Sequence, residues 1–341
     1  MRTSAPRRGF GDRAWIGLAA IQALLTVAYF GSPESVLGGI IYCSAGLLAT
    51  LGIAAGIVVH RPQPRPAFLV LGAAMTSLTV GDAVWVSYDL VNAQVPYPGV
   101  ADLAYLMAYP LLLIAMTLML RQARADTGIA LDATIIALGV GVLIWELLMA
   151  PSLIATGGSL AAQVVSAAYP GVDILLVAAL ARLLFAGLWR NVTVRLLSLA
   201  FLGALLADVV YSWQALSGEY HPGVWYEALW MIEYALLGVA VLHPSVRRLG
   251  GEVIDSRPVS SQRRLIALAV AGLLAPAMIV VEVLVGREPN LLVVTGIWAV
   301  LFVLVVTRMR ALMAYIPRRY DPAIIEGLAL TGALRPDLHG A

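Results

Sequence analysis

The chain has 341 residues, 61% of them apolar and 12% charged, with a mean hydropathy of +0.88 and a formal net charge of +2. That composition excludes a soluble domain of this length and predicts an all-α polytopic membrane protein. Every fixed basic residue is arginine, which removes mechanisms built on a lysine Schiff base or a P-loop lysine, and the single cysteine, Cys43, permits neither an intrachain disulfide nor a cysteine-rich metal site.

Residues 1–14 read as a short cytoplasmic segment. The apolar run 15–30 lacks a convincing small-residue cleavage pattern behind it and is read as an uncleaved first span. Runs long enough to cross about 30 Å of hydrocarbon continue at 36–59, 67–91 and 101–120, then at 131–150, 159–181, 196–216 and 223–242. A connection at 244–264 leads to two more, at 265–285 and 291–307, and residues 310–341 form a short tail. Ten transmembrane helices are therefore expected. Every arginine except Arg287 lies in or beside one alternating set of connections, which places that set and both termini in the cytoplasm of a plasma-membrane protein.

Spans three and four are echoed in spans seven and eight. Asp82, Trp85 and Tyr88 precede Pro98-Gly99, Asp102, Tyr105 and Tyr109; later come Asp208, Tyr211, Pro222-Gly223, Glu227, Trp230 and Tyr234. Acid, aromatic at +3 and aromatic at +7 recur in both second helices. Four spans separate the copies, so the pattern predicts a parallel internal repeat of residues 15–121 and 131–243, with the spans of 265–309 appended.

Acids within a bilayer are costly, and each is a functional candidate. Most of the carboxylates, tyrosines and tryptophans lie in the outer half of the spans or in external loops, where Arg287 is the lone fixed cation. Such carboxylates must be solvated, protonated, hydrogen-bonded to hydroxyls or matched by something other than protein. Helical spacing puts Asp102, Tyr105 and Tyr109 on one face, and Glu227, Trp230 and Tyr234 on another. Asp82 with Trp85, and Asp208 with Tyr211, follow the same spacing. Two Tyr-Pro pairs, Tyr109-Pro110 and Tyr169-Pro170, and Pro276 fall inside spans, where a missing backbone donor frees carbonyls. Asp173 follows Tyr169 by one turn near the midplane. Together with Tyr88 and Glu233 these residues form the candidate ligand-binding set. They predict an outward-opening cavity of carboxylates, phenols and indoles that takes a small cationic or polyhydroxylated ligand. The alternative is interhelical glue, each phenol capping a neighbouring acid.

No HExxH, glycine-rich phosphate loop or nucleophile elbow is present, and the histidines at 60, 221, 243 and 339 are scattered. Neither catalysis nor a nucleic-acid partner is expected, and the sequence identifies no cofactor or metal.

The strings GDAVWVSYDL, PGVADLAYLMAYPLLL, AYPGVDILLVAALARLL, LADVVYSWQALSGEYHPG and ALLGVAVLHPSV resemble the membrane-embedded N-terminal regions of actinobacterial signalling proteins that carry GGDEF or GGDEF–EAL domains. The resemblance covers roughly residues 15–312 and implies a sensory membrane region that controls cyclic-di-GMP enzymes. The stretch after Met309 holds no GGDEF, EAL or kinase signature and is too short for a catalytic domain. Asp321-Pro322, followed by Ile324, Ile325 and Leu328, reads as a helix start that docks on the membrane or on a signalling partner. A sensor or receptor-like module is thus the expected function, with a small-molecule or ion transporter using the same cavity as the alternative.

The arginine distribution makes the topology testable. In a Cys43→Ser background, single cysteines at Val95, Thr156, Glu219 and Arg287 should react with an impermeant thiol reagent on intact cells. Those at Gln63, Ala125, Val192 and Asp255 should react only after permeabilisation. Labelling at 255 from outside removes the ten-span arrangement.

Overall fold

A computed structural model describes residues 13–91, 93–121, 127–155, 159–250, 261–286 and 290–315, and among them all regular structure is helical. The helices are α1 (Ala14–Tyr29), α2 (Val36–His60), α3 (Arg65–Leu90), α4 (Val100–Leu120), α5 (Thr127–Ile144), α6 (Ala150–Ala155), α7 (Leu160–Phe185), α8 (Val192–Ser217), α9 (Glu227–Leu242), α10 (Ser261–Val285) and α11 (Leu291–Tyr315). A π turn over Trp145–Met149 joins α5 to α6. Residues 1–12 of the expected cytoplasmic N-terminal segment, Arg287 and the helix start at Asp321 lie outside the described residues.

Local chemistry sets the helix ends. The Ser35 hydroxyl accepts the Gly38 amide at the start of α2 (3.1 Å), Ser159 accepts Ala162 N–H at α7 and Asn191 accepts Thr193 N–H at α8. Pro66 occupies the first turn of α3, where no intrahelical donor is lost. Gly218 closes α8 in the left-handed region, φ 70°. Pro110, Pro170 and Pro276 lie inside α4, α7 and α10, which continue through them.

Among the described residues eight segments are long and apolar enough to cross a bilayer: α2, α3, α4, α5 with its continuation to Leu153, α7, α8, α10 and α11. This is the architecture of a multi-pass helical membrane protein. The predicted first and eighth spans are helices of 16 residues, α1 and α9, which at 1.5 Å per residue reach about 24 Å.

Helices α2, α3, α4, α7, α8 and α9 pack in that order into a closed ring, α9 returning to α2. Within the ring α7 and α8 share the thinnest seam. Helix α1 covers α2 and α9, and α5 rests on α7 while holding α10 and α11 on its other side. The half of the ring at the arginine-bearing ends is filled by apolar side chains, among them Phe68, Leu71, Met116, Leu183, Leu197 and Leu237. The opposite half carries the acids.

The α2–α9 contact depends on small residues that let backbones approach. A Cβ on Gly56 would collide with the backbone of Val241 and Leu242, and Gly238 sits 3.1 Å from the Ala49 Cα by the same measure. Gly56→Ala should therefore lower stability by about 1–3 kcal/mol, the cost of overpacking. Gly272→Ala, which meets open space, should stay within about 0.5 kcal/mol of the parent. Thermal or denaturant unfolding of the purified protein in detergent measures both.

Candidate functional site

Two aspartates face the ring interior from α3 and α8, and each takes one donor from α4 and one from α9. Asp82 Oδ1 accepts the Tyr105 hydroxyl and Oδ2 the Tyr234 hydroxyl, both at 2.9 Å. Asp208 Oδ1 accepts the Trp230 indole N–H at 2.8 Å and Oδ2 the Tyr109 hydroxyl at 3.3 Å. The helical spacing of α4 and α9 explains this. Donors one turn apart on one face, Tyr105 and Tyr109 or Trp230 and Tyr234, reach acids on two different helices, α3 and α8.

A second tier of acids lies at the starts of α4 and α9, away from the arginine-bearing ends. Asp102 accepts the Gly99 amide (2.8 Å), closing the first turn of α4, and the Tyr169 hydroxyl of α7 (2.8 Å). Glu227 accepts the Gly223 amide at 2.8 Å, Tyr29 from α1 at 2.6 Å and Tyr220 at 2.9 Å. The longer glutamate makes from four residues away the contact that the aspartate makes from three. Burial and the neighbouring Glu227 push the Tyr220 phenol in the outer connection upward, and burial pushes Tyr226, at the N-cap of α9, up to about 12. Both therefore remain protonated donors at neutral pH, and the Tyr226 hydroxyl donates a hydrogen bond to Gln214 Oε1 at 2.9 Å.

Depth divides the cluster. Asp82, Asp173, Glu233, Tyr109 and Tyr234 are buried, whereas Asp102, Tyr105, Tyr169, Asp208, Tyr211 and Trp230 are half-buried. Of the half-buried group, Tyr169 belongs to α7 and Asp208 and Tyr211 to α8, the two helices of the thin seam. Tyr211 packs edge-on against Trp230 and Tyr220, with centroids 5.6 and 5.0 Å away, and Tyr109 stands likewise to Tyr169 at 6.2 Å.

Asp173 is 3% exposed, and its Oδ1 has no hydrogen-bond partner. Its electrostatic neighbours are Asp208 and Glu233, and Glu233 in turn feels Asp208 and Asp82. Among the described residues the arginine–carboxylate pairs converge instead on Asp132 of α5, outside the ring. No three or more His, Cys, Asp or Glu among the described residues are grouped to hold a metal ion.

Twelve of the predicted site residues meet in or border this cluster. Trp85 does not: it is 42% exposed on the outer face of α3. Tyr88 is half-buried near the end of α3, and its hydroxyl joins none of these bonds. Three participants escape a reading of spacing alone. Tyr29 closes α1, Tyr220 lies in a connection, and Tyr42 packs against Tyr29 and Tyr234 at 5.5 and 5.8 Å. The two Pro-Gly pairs ahead of the acids were the sequence signal for the backbone contacts of Gly99 and Gly223.

Comparison of the chain with family models, curated proteins and solved structures finds no match in any of the three.

Sharing of one carboxylate predicts coupling. Tyr105→Phe and Tyr234→Phe should each cost about 0.6–1.7 kcal/mol, the range for hydrogen bonds between membrane helices. Because both act on Asp82, their double variant should depart from additivity by about 0.5 kcal/mol or more. Tyr105→Phe with Tyr220→Phe, which act on different acids, should add. A double-mutant cycle read by unfolding in detergent decides this.

Proposed function

We propose that this chain is a receptor-like sensor of the cell membrane whose outer acid and aromatic cluster holds a small cationic or polyhydroxylated ligand and signals through its cytoplasmic ends. The observation that carries the reading is Asp173, a buried carboxylate with an unpartnered oxygen, set among further acids and away from the arginine pairs. A buried carboxyl of this kind is either held protonated or met by a counter-charge or a hydrogen-bond donor. A small cation entering at the α7–α8 seam supplies one, with Trp230 and Tyr211 offering aromatic faces.

The ten-span arrangement, with both termini on the arginine-rich side, belongs to this proposal, with α1 and α9 as short spans. So does the parallel repeat. The ring order supports it, since α2, α3 and α4 are followed by α7, α8 and α9. The exchanged donors support it too: Asp82 takes the +3 aromatic of α4 and the +7 aromatic of α9, and Asp208 takes the reverse. Helix α5 departs from the symmetry by turning to α10 and α11 instead of α4. The apolar filling beneath the acids favours a sensor over a carrier, which needs access from both sides. A transporter is the second reading, favoured by the two-fold order of the ring and by the prolines inside α4 and α7. The signalling role rests on the resemblance to membrane regions of cyclic-di-GMP proteins.

Purified parent and the variants Asp173→Asn, Asp208→Asn and Glu227→Gln, melted with a panel of metal ions, polyamines and quaternary amines, test the reading. A ligand at a hundredfold its Kd stabilises by about 2.7 kcal/mol, and the parent should gain such a shift from at least one cation while the variants lose it. If no cation moves the parent and the variants melt like it, the acids are interhelical glue. Flux of the stabilising cation into proteoliposomes would replace the sensor with the carrier.

A further inference from the structure

Outside the ring, α5, α10 and α11 enclose a charged centre of opposite sign. Asp132 of α5 is fully buried and receives two arginines: Arg308 of α11 through Nε at 2.7 Å and Nη2 at 3.4 Å, and Arg264 of α10 through Nε. Both arginines are 9% exposed. One carboxylate thus faces two guanidinium groups that cannot lose their charge. The surplus shows at Arg264, whose Nη2 is buried without a hydrogen-bond partner and whose guanidinium carbon stands 5.6 Å from the Phe185 ring centroid. Arg308 lies over Gly128, in the first turn of α5, where a Cβ would collide with its guanidinium. The positive end of a helix therefore adds to the field.

On their other faces, α10 and α11 carry exposed apolar side chains at the level of these arginines. Leu265 and Ile266 follow Arg264 with 44% and 57% exposure, and Val306 and Met309 flank Arg308 with 39% and 48%. A charged head beside two exposed apolar helix faces matches an amphiphile whose phosphate meets guanidinium and whose acyl chains lie along α10 and α11. Basic pockets between membrane helices recognise anionic headgroups in this way, and arginine presents a fork that fits phosphate oxygens. We infer that Arg264 and Arg308, set around Asp132, form a binding site for the phosphate of an anionic phospholipid in the leaflet at the arginine-rich end. The inference is independent of the ligand assigned to the ring.

The full chain purified in detergent, titrated separately with phosphatidylglycerol, phosphatidylcholine and inorganic phosphate, tests it through melting temperature and native mass spectrometry. Phosphatidylglycerol should give a saturable upward shift and a retained lipid, and the other two should not. Arg264→Gln keeps the Arg308–Asp132 pair, so it should fold but bind phosphatidylglycerol about five- to tenfold more weakly, the loss expected for one basic residue near an anionic headgroup. Arg264→Lys should keep part of the shift. Asp132→Asn should lower the lipid-free melting temperature yet retain or enlarge the lipid shift, which a purely structural ion cluster would not do. Equal shifts with phosphatidylglycerol and phosphatidylcholine, or an undiminished shift in Arg264→Gln, overturn the site. An equal shift with inorganic phosphate overturns the lipid assignment.

Discussion

A carboxylate inside a helical membrane protein must be given hydrogen-bond donors or a counter-charge, and in this ring the donors are aromatic. Tyrosine and tryptophan suit the task because each places one polar hydrogen at the end of an apolar body. The donor reaches the acid while the ring fills the space a lipid or a void would otherwise take. Tyr105, Tyr109, Trp230 and Tyr234 do so for Asp82 and Asp208, and Tyr169, Tyr29 and Tyr220 for the outer acids. Donation replaces solvation, so these acids persist in the packed interior without arginine.

That constraint also orders the chain. Helices running away from the arginine-bearing ends carry their acids late, as α3 and α8 do, and helices running toward those ends carry them early, as α4 and α9 do. The polar groups therefore gather at one level, and the apolar residues at the other ends of the same helices close the ring beneath them. Charge of the opposite sign is kept in the side layer of α5, α10 and α11, where Asp132 gathers two arginines. The protein thus separates an acidic centre in the ring from an arginine centre beside it.

Much of this was legible in the sequence because helical spacing converts directly into shared faces. Each predicted span overlaps a helix, and among the described residues eight of these segments are long and apolar enough to cross a membrane; residues 131–150 contain the π turn at Trp145–Met149, and α1 and α9 are short. The acid, +3 and +7 spacing located the donors of α4 and α9 but could not say which acid each would serve, since that depends on which helices become neighbours. Trp85 shows the limit of the argument. It follows Asp82 by three residues, an offset of about 60° around the helix, and that offset takes its ring to the exposed side. Tyr29 was illegible for another reason: it reaches Glu227 across 198 positions of sequence from the end of a helix with no acid of its own. The Arg264–Asp132–Arg308 centre belongs to the same class, three residues on three helices joined only by the fold.

The crossed arrangement of donors has a mechanical meaning. Helix α4 touches both aspartates, and so does α9, with the two contacts on each helix about one turn apart. Turning α4 about its axis far enough to free Tyr105 from Asp82 also withdraws Tyr109 from Asp208, because both hydroxyls ride on one rigid cylinder. The partners left behind are still held by α9. The four bonds therefore form a linkage with two cranks and two pivots, in which neither crank turns without loading the other through the shared carboxylates. A disturbance at either aspartate reaches both halves of the ring at once.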